Sequence, residues 1–351
     1  MKEGNIIYMI VDEENKIISI ENLMSKENGK KYNYLIYCNN MIISLLKRAD
    51  NKKWCSINYK IKEKDYNKWK SKKYDLSYFR VHGYSKEINT IYYRHILFSL
   101  LADYVEYVSN SIICATKKQI NSSYTLLRKP LKDDLLLLEM LYVKGHNFVG
   151  KFLNNSIDNF SIDRISSDKK KKIIREACKK CNIKKTNVLF YNFRYNKKKD
   201  YSLERLWNPA SHIITTCKDY KTEDGNLNMI FNDVKNIEKL INHYFNIMPS
   251  VQHYVLKMFL SILYNEGLIT EFEYIVNTSI SSIKSAAVVT EINDNNIDNF
   301  IFVCPHCNNT FEFKDDINIK NKCLFNLNMT CSNCKKTIHL DKFLEYSIKD
   351  N

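Results

Sequence analysis

Only 7 glycines and 4 prolines punctuate 351 residues. A β-sandwich needs turn residues roughly every 8 to 12 positions, so a chain with so few breakers is read as mostly α, a helical bundle. With 44% apolar residues and 13% aromatics it can fill sizeable cores. No apolar run approaches the roughly 18 residues of a membrane span, and Asp12, Glu13 and Glu14 interrupt the N-terminus before a signal-like core develops. These features predict a soluble, cytoplasmic protein with no membrane partner.

The chain holds 11 cysteines, and the spacing of four of them points to metal chemistry. Cys304 and Cys307 lie in C-P-H-C, Cys331 and Cys334 in C-S-N-C, with 23 residues between the pairs. Two C-x2-C steps at this separation match a closed four-thiolate site of the zinc-ribbon type, in which Zn2+ is structural because no coordination position is left for water. The expected hairpins are 300–303 with 310–313 and 328–330 with 337–340. His306 lies too close to both thiols of its own step to be a further ligand, and Cys323 and His339 read most simply as a core thiol and an exposed ring, or as a replacement for one of the cysteines in a different register. A third C-x2-C, Cys178 and Cys181, shares a helical stripe with Ile173, Ile174 and Ala177, which predicts core thiols.

Charge is concentrated as well. Residues 169–199 carry 13 basic side chains against the single acid Glu176, which supplies +12 of the chain's +15. The ribbon segment from 300 onward has seven lysines and six acids. A phosphate-binding surface is therefore expected in the middle of the chain, on Lys169, Lys170, Lys171, Lys172, Arg175, Arg194, Lys197, Lys198 and Lys199, with nucleic acid as partner. Phe190, Tyr191, Phe193, Tyr195 and Tyr201 are interleaved with these cations, the composition of a single-strand grip, although a solvated helix face and a buried aromatic segment have the same pattern. A weaker basic cluster comprises Lys60, Lys62, Lys64, Lys68, Lys70, Lys72 and Lys73.

Three segments are expected: a Lys- and Tyr-rich α/β region over 1–85 opening with a hairpin across Asp12–Asn15, a helical domain over 86–292, and the ribbon over 296–351. Within the second, Tyr92, His95, Ile96, Ser99, Leu100, Asp103 and Tyr104 recur at helical spacing, as do Leu127, Leu131, Leu135, Leu138 and Leu141. Pro130 should kink the second pattern or restart it. Further helices are predicted over 168–181, 209–217, 233–245, 250–264 and 271–284.

Arg205 and His212 are candidate catalytic residues. An arginine to hold a scissile phosphate and a histidine to move the 2′-hydroxyl proton suffice for metal-free RNA cleavage. Asn208 and Pro209 read as the cap and first position of a helix that would leave Arg205 ahead of it. The segments L-L-R-K-P-L-K-D-D-L-L-L-L-E-M-L-Y (126–142) and R-Y-N-K-K-K-D-Y-S-L-E-R-L-W-N-P-A-S-H-I-I-T-T (194–216) resemble uncharacterised bacterial proteins related to abortive-infection and HEPN-like helical domains. That resemblance spans about 90–270, implies a helical bundle, favours nucleic-acid and phage-defence contexts, and draws attention to Arg128, Asp133, Arg205 and His212. The leading expectation is a bacterial zinc-binding protein whose basic helical domain binds RNA or single strands. The alternatives are a HEPN-like ribonuclease effector using Arg205 and His212, and a scaffold that docks another protein through the ribbon.

Overall fold

The computed structural model describes residues 10–11, 17–18, 25–73, 76–154, 160–183, 187–211, 234–288, 301–304, 306–307, 309–312 and 328–339. The described residues are mostly helical, in agreement with the scarcity of Gly and Pro. The chain divides into two compact units, one of residues 1–29 and 39–244, the other of 30–38 and 245–351.

The described residues begin with strands β1 (Ile10–Val11) and β2 (Ile17–Ile18), paired antiparallel; the turn expected over 12–15 lies outside them. Helix α1 (Lys26–Asn51) is not among the helices expected from sequence. Its signal is nevertheless present: Leu35, Cys38, Ile42, Leu45 and Ala49 recur at three- and four-residue steps and are all buried. Ser25 caps it by accepting the Asn28 N–H at 3.3 Å. Two short helices follow, α2 (Glu63–Ser71) and α3 (Leu76–Val81), in a segment without a legible period.

Helix α4 (Ser85–Thr116) is the centre of the first unit, packing against α3, α5 (Ile120–Lys129), α6 (Leu135–Lys144) and α7 (His146–Asn154). Its buried stripe runs through Ile88, Tyr93, Leu97, Leu101, Tyr104, Val108, Ile112 and Ala115. Tyr104 is buried as expected, but ahead of it the expected stripe is one position off: Tyr92 is half-buried and His95 and Ser99 are exposed, because the side chain one step on meets the neighbouring helices. Among the described residues α4 alone is long and apolar enough to cross a membrane, with a mean hydropathy of 1.2 over 18 residues, which corrects the expectation that no run approaches that length. Of that window 39% is buried.

Leu127, Leu131, Leu135, Leu138 and Leu141 are buried as the period predicts. At Pro130 the α-helical hydrogen-bond pattern is interrupted. Residues Pro130–Asp134 form a π-turn in which the Leu135 N–H donates to the Pro130 carbonyl, so one wide turn absorbs the missing proline donor between α5 and α6. Helices α8 (Ser167–Lys180), α9 (Asn187–Tyr195) and α10 (Leu203–Ser211) follow in this unit, α8 on α6, α9 on α8, and α10 on α5 and α9. Helix α10 begins ahead of Arg205, not at Pro209 as predicted. The remainder of the predicted 209–217 helix lies outside the described residues.

The helices predicted over 233–245 and 250–264 are one, α11 (Val234–Asn265), continuous through Pro249. Proline inside a helix costs about 3 kcal/mol. Every residue from 251 to 263 is buried, and each fully buried aliphatic or aromatic side chain contributes about 1.5–3 kcal/mol, so packing holds the helix together. In the second unit α11 is followed by a Gly267 turn at φ +71° and by α12 (Glu271–Val288). Thr270 and Glu273 form a reciprocal capping box: the Glu273 N–H donates to Thr270 Oγ1 at 3.2 Å, and the Thr270 N–H donates to Glu273 Oε2 at 2.7 Å. Two hairpins end the described chain, β3 (Ile301–Val303) with β4 (Thr310–Glu312) and β5 (Asn328–Thr330) with β6 (Thr337–His339).

Candidate metal centre and basic helix faces

The two hairpins are built alike. Val303 pairs with Thr310 and Thr330 with Thr337, so each closing pair brackets one C-x2-C step at the same spacing. Inside each bracket the first cysteine's N–H donates to the carbonyl five residues on, Cys304 to Asn309 at 2.9 Å and Cys331 to Lys336 at 3.0 Å. Lys335 takes φ +57° to complete the second turn. The sulfur atoms of Cys304, Cys307, Cys331 and Cys334 thereby converge, all within 4.8 Å of one another.

Cross-hairpin Sγ separations are 3.7 Å for Cys304 with Cys334 and 3.6 Å for Cys307 with Cys331. A disulfide needs about 2.05 Å, so the pairs are not bonded. A regular tetrahedron of sulfurs placed about 2.3 Å from a central ion has an edge of about 3.8 Å, close to both separations. The four thiols can therefore hold a metal ion. The Asn309 N–H, then the neighbouring thiols, bring Cys307 down to about 6, and the Cys334 and Asn333 N–H groups lower Cys331, whereas at Cys334 the Lys336 N–H is outweighed by burial and the other three thiols, which push it up to about 11. The His306 N–H donates to Cys304 Sγ at 3.4 Å and Asn333 Nδ2 to Cys307 Sγ at 3.7 Å, so His306 serves the cluster through its backbone. His339 is a residue of β6, and Cys323 lies outside the described residues.

The basic segment separates into cations with different surroundings. On α8 the stripe Ile173, Ile174, Ala177 and Cys178 is buried, as is Cys181 just beyond, which makes Cys178 and Cys181 core thiols. Lys169, Lys172, Arg175 and Lys179, three or four residues apart, are exposed along the opposite side, and Lys197, Lys198 and Lys199 are exposed beyond α9. Lys170 is half-buried over the Tyr195 ring at 4.8 Å, and burial, with Lys132 next, lowers its pKa. Lys171 lies over Tyr191 at 5.1 Å and 3.5 Å from Asp168. Lys184 and Lys185 fall outside the described residues.

Arg194 is a correction. Its side chain is 0% exposed, forked onto Glu139 at 2.7 and 2.9 Å, with Nε donating to the Phe190 carbonyl and a terminal nitrogen to that of Leu131. It is a core ion pair and offers nothing to a phosphate at the surface. The aromatic part of the single-strand pattern is corrected with it. Phe190 and Phe193 are buried, while Tyr191 and Tyr195 meet the α8 lysines, and the Tyr195 hydroxyl donates to the Lys132 carbonyl at 2.7 Å. These rings pack α9 onto its neighbours.

No family model, curated protein or solved structure matches the chain. Residue roles therefore rest on geometry. Arg205 lies in the first turn of α10 and pairs with the exposed Asp200. His212 lies outside the described residues. Asp133, half-buried in the π-turn, is raised by burial, and Asp134 beside it is raised to about 7 by burial and then by the neighbouring Asp103 carboxyl. Lys129 neutralises Asp103 at 2.6 Å. Sequence reasoning singles out Asp133 and misses the Asp103–Asp134 pair, since 31 residues separate the two.

Proposed function

We propose that this chain is a cytoplasmic zinc-binding protein whose helical unit binds RNA through the exposed lysine stripe of α8. The zinc assignment is carried by the four-sulfur cluster. All-thiolate tetrahedral sites suit zinc or iron, and structural zinc is the usual occupant of a closed site built from two such turns. Cys304, Cys307, Cys331 and Cys334 would hold the ion, which supplies folding energy and no reactive position. Elemental analysis of the purified chain is expected to give one zinc per molecule, lost on Cys304→Ser with Cys331→Ser. A visible iron–thiolate spectrum, or no metal after refolding with zinc, refutes the assignment.

The nucleic-acid side is supported by the division of α8 into one wholly buried apolar stripe and one exposed cationic stripe. A solvated helix of a small core needs no such concentration of one sign, and phosphate is the ligand that a row of lysines neutralises best. The HEPN-like kinship of residues 90–270, with its phage-defence setting, belongs to the same reading. RNA affinity is expected to fall steeply as salt rises, and replacing Lys169, Lys172, Arg175 and Lys179 by Gln should flatten that dependence. A wild-type affinity indifferent to salt overturns the proposal.

A further inference from the structure

The rings of 190–195 expected to stack bases are used in packing, yet exposed rings among lysines occur elsewhere. Residues 52–73 contain nine lysines against Glu63 and Asp65. Lys60, Lys62, Lys64, Lys68, Lys70, Lys72 and Lys73 are all exposed. Asp65 is half-buried and accepts the Tyr84 hydroxyl at 3.0 Å, which leaves Glu63 as the exposed acid of the segment.

Two tyrosines stand out among these cations, Tyr59 at 56% exposed and Tyr66 at 42%. Both are held from one side. Tyr59 meets Tyr84 edge-to-face at 5.7 Å, and Tyr66 meets Trp69 at 6.0 Å, while Trp69 is anchored on the buried Phe79 at 4.9 Å. Helix α2 has no buried residue of its own, so its attachment comes from this ring cluster together with the Asp65–Tyr84 hydrogen bond. A helix of nine residues with so little packing, three of them lysines, is poorly explained as a structural element.

We propose that the 52–73 segment is a platform for single-stranded nucleic acid, with Tyr59 and Tyr66 stacking bases and the flanking lysines following the phosphates. Pre-positioned rings stack any base, and lysine neutralises the backbone without reading it, so the surface selects strandedness over sequence. A duplex hides its base faces and gains only the charge. An anionic membrane fits less well, since interfacial helices insert Trp, Phe or Leu, and Trp69, the large apolar side chain of α2, is turned onto Phe79. The inference extends the nucleic-acid reading to a second surface and does not depend on α8.

Fluorescence anisotropy of the full chain with labelled oligouridylate, and with a duplex of equal length, tests it beside ultraviolet crosslinking of the wild type. Single strand is expected to bind more tightly than duplex, with crosslinks at Tyr59, Tyr66 or Trp69. Tyr59→Ala with Tyr66→Ala should weaken single-strand binding about tenfold or more with an unchanged salt slope, and Tyr→Phe at both positions should restore it. Replacing Lys60, Lys64 and Lys68 by Gln should make the slope shallower, by about 0.7 for each phosphate no longer neutralised. Equal binding of duplex, preference for anionic vesicles, or crosslinks confined to 167–199 overturns the platform, and the last result leaves the α8 reading standing. Sensitivity to the tyrosines without sensitivity to the α8 lysines refutes α8 and upholds the platform. Absence of RNA binding refutes both.

Discussion

Arg194 illustrates how much depends on one side chain's partner. A buried guanidinium and carboxylate are each costly to desolvate, and their bidentate pairing plus two carbonyl acceptors offsets that cost. Arg194→Met or Glu139→Gln should each destabilise the fold by about 3–5 kcal/mol in urea unfolding, and the double replacement by apolar residues should cost less than either. Neither change should alter the salt slope of RNA binding. His253 is equally buried, its Nδ1 2.8 Å from the Tyr34 hydroxyl and 3.1 Å from Ser281 Oγ. Burial, then Lys257, drives its pKa from 6.5 to about 3. The folded state thus prefers the neutral ring: the contribution is complete above pH 6.5 and is lost as pH falls from 6.5 toward 3, at up to about 1.4 kcal/mol per pH unit. His253→Asn should make the acid side of a stability profile shallower by as much as one proton. Asp134 behaves oppositely. Its folded pKa of about 7 lies above the ordinary carboxyl value, so its contribution is present at low pH and is lost as pH rises through 7. Asp134→Asn should flatten the fall in stability between pH 3.8 and about 7, and a profile unchanged by it would show that Asp134 is not raised.

At the scale of elements, end chemistry is written plainly in the sequence. T-E-F-E at 270–273 is a capping box, and Ser166 caps α8 by accepting the Lys169 N–H. Thr270→Ala is expected to cost about 1 kcal/mol in chemical unfolding, and a loss below a few tenths would show that α12 is held by packing alone. Pro130 and Pro249 show the limit of local rules. Each marks a break by its own chemistry, and each lies within a continuous helical path, because a π-turn or a wholly buried stretch compensates for the missing donor. The lysines and tyrosines of 26–51 likewise hide a helix whose apolar positions have ordinary spacing.

For the whole molecule, the proposed zinc makes folding of the C-terminal hairpins a separate event from folding of the helices. Structural zinc contributes about 10–16 kcal/mol of apparent binding energy, far more than two such short hairpins can supply. A strong chelator is expected to abolish amide protection at 301–339 while helical circular dichroism is kept; parallel loss of both would show that the helices need the metal. What the sequence determined by itself is whatever depends on near neighbours. Four cysteines in two short steps define a cluster wherever the hairpins are placed, and the 3–4 spacing of Leu127 to Leu141 buries one side of any helix it forms. The fate of each cation was decided only by tertiary structure. Arg194 and Lys169 look alike in a basic run, yet Glu139, 55 residues earlier, draws the first into the core, while the second stays in water. Desolvation depends on everything packed around a charge, and no local pattern encodes a partner at that distance.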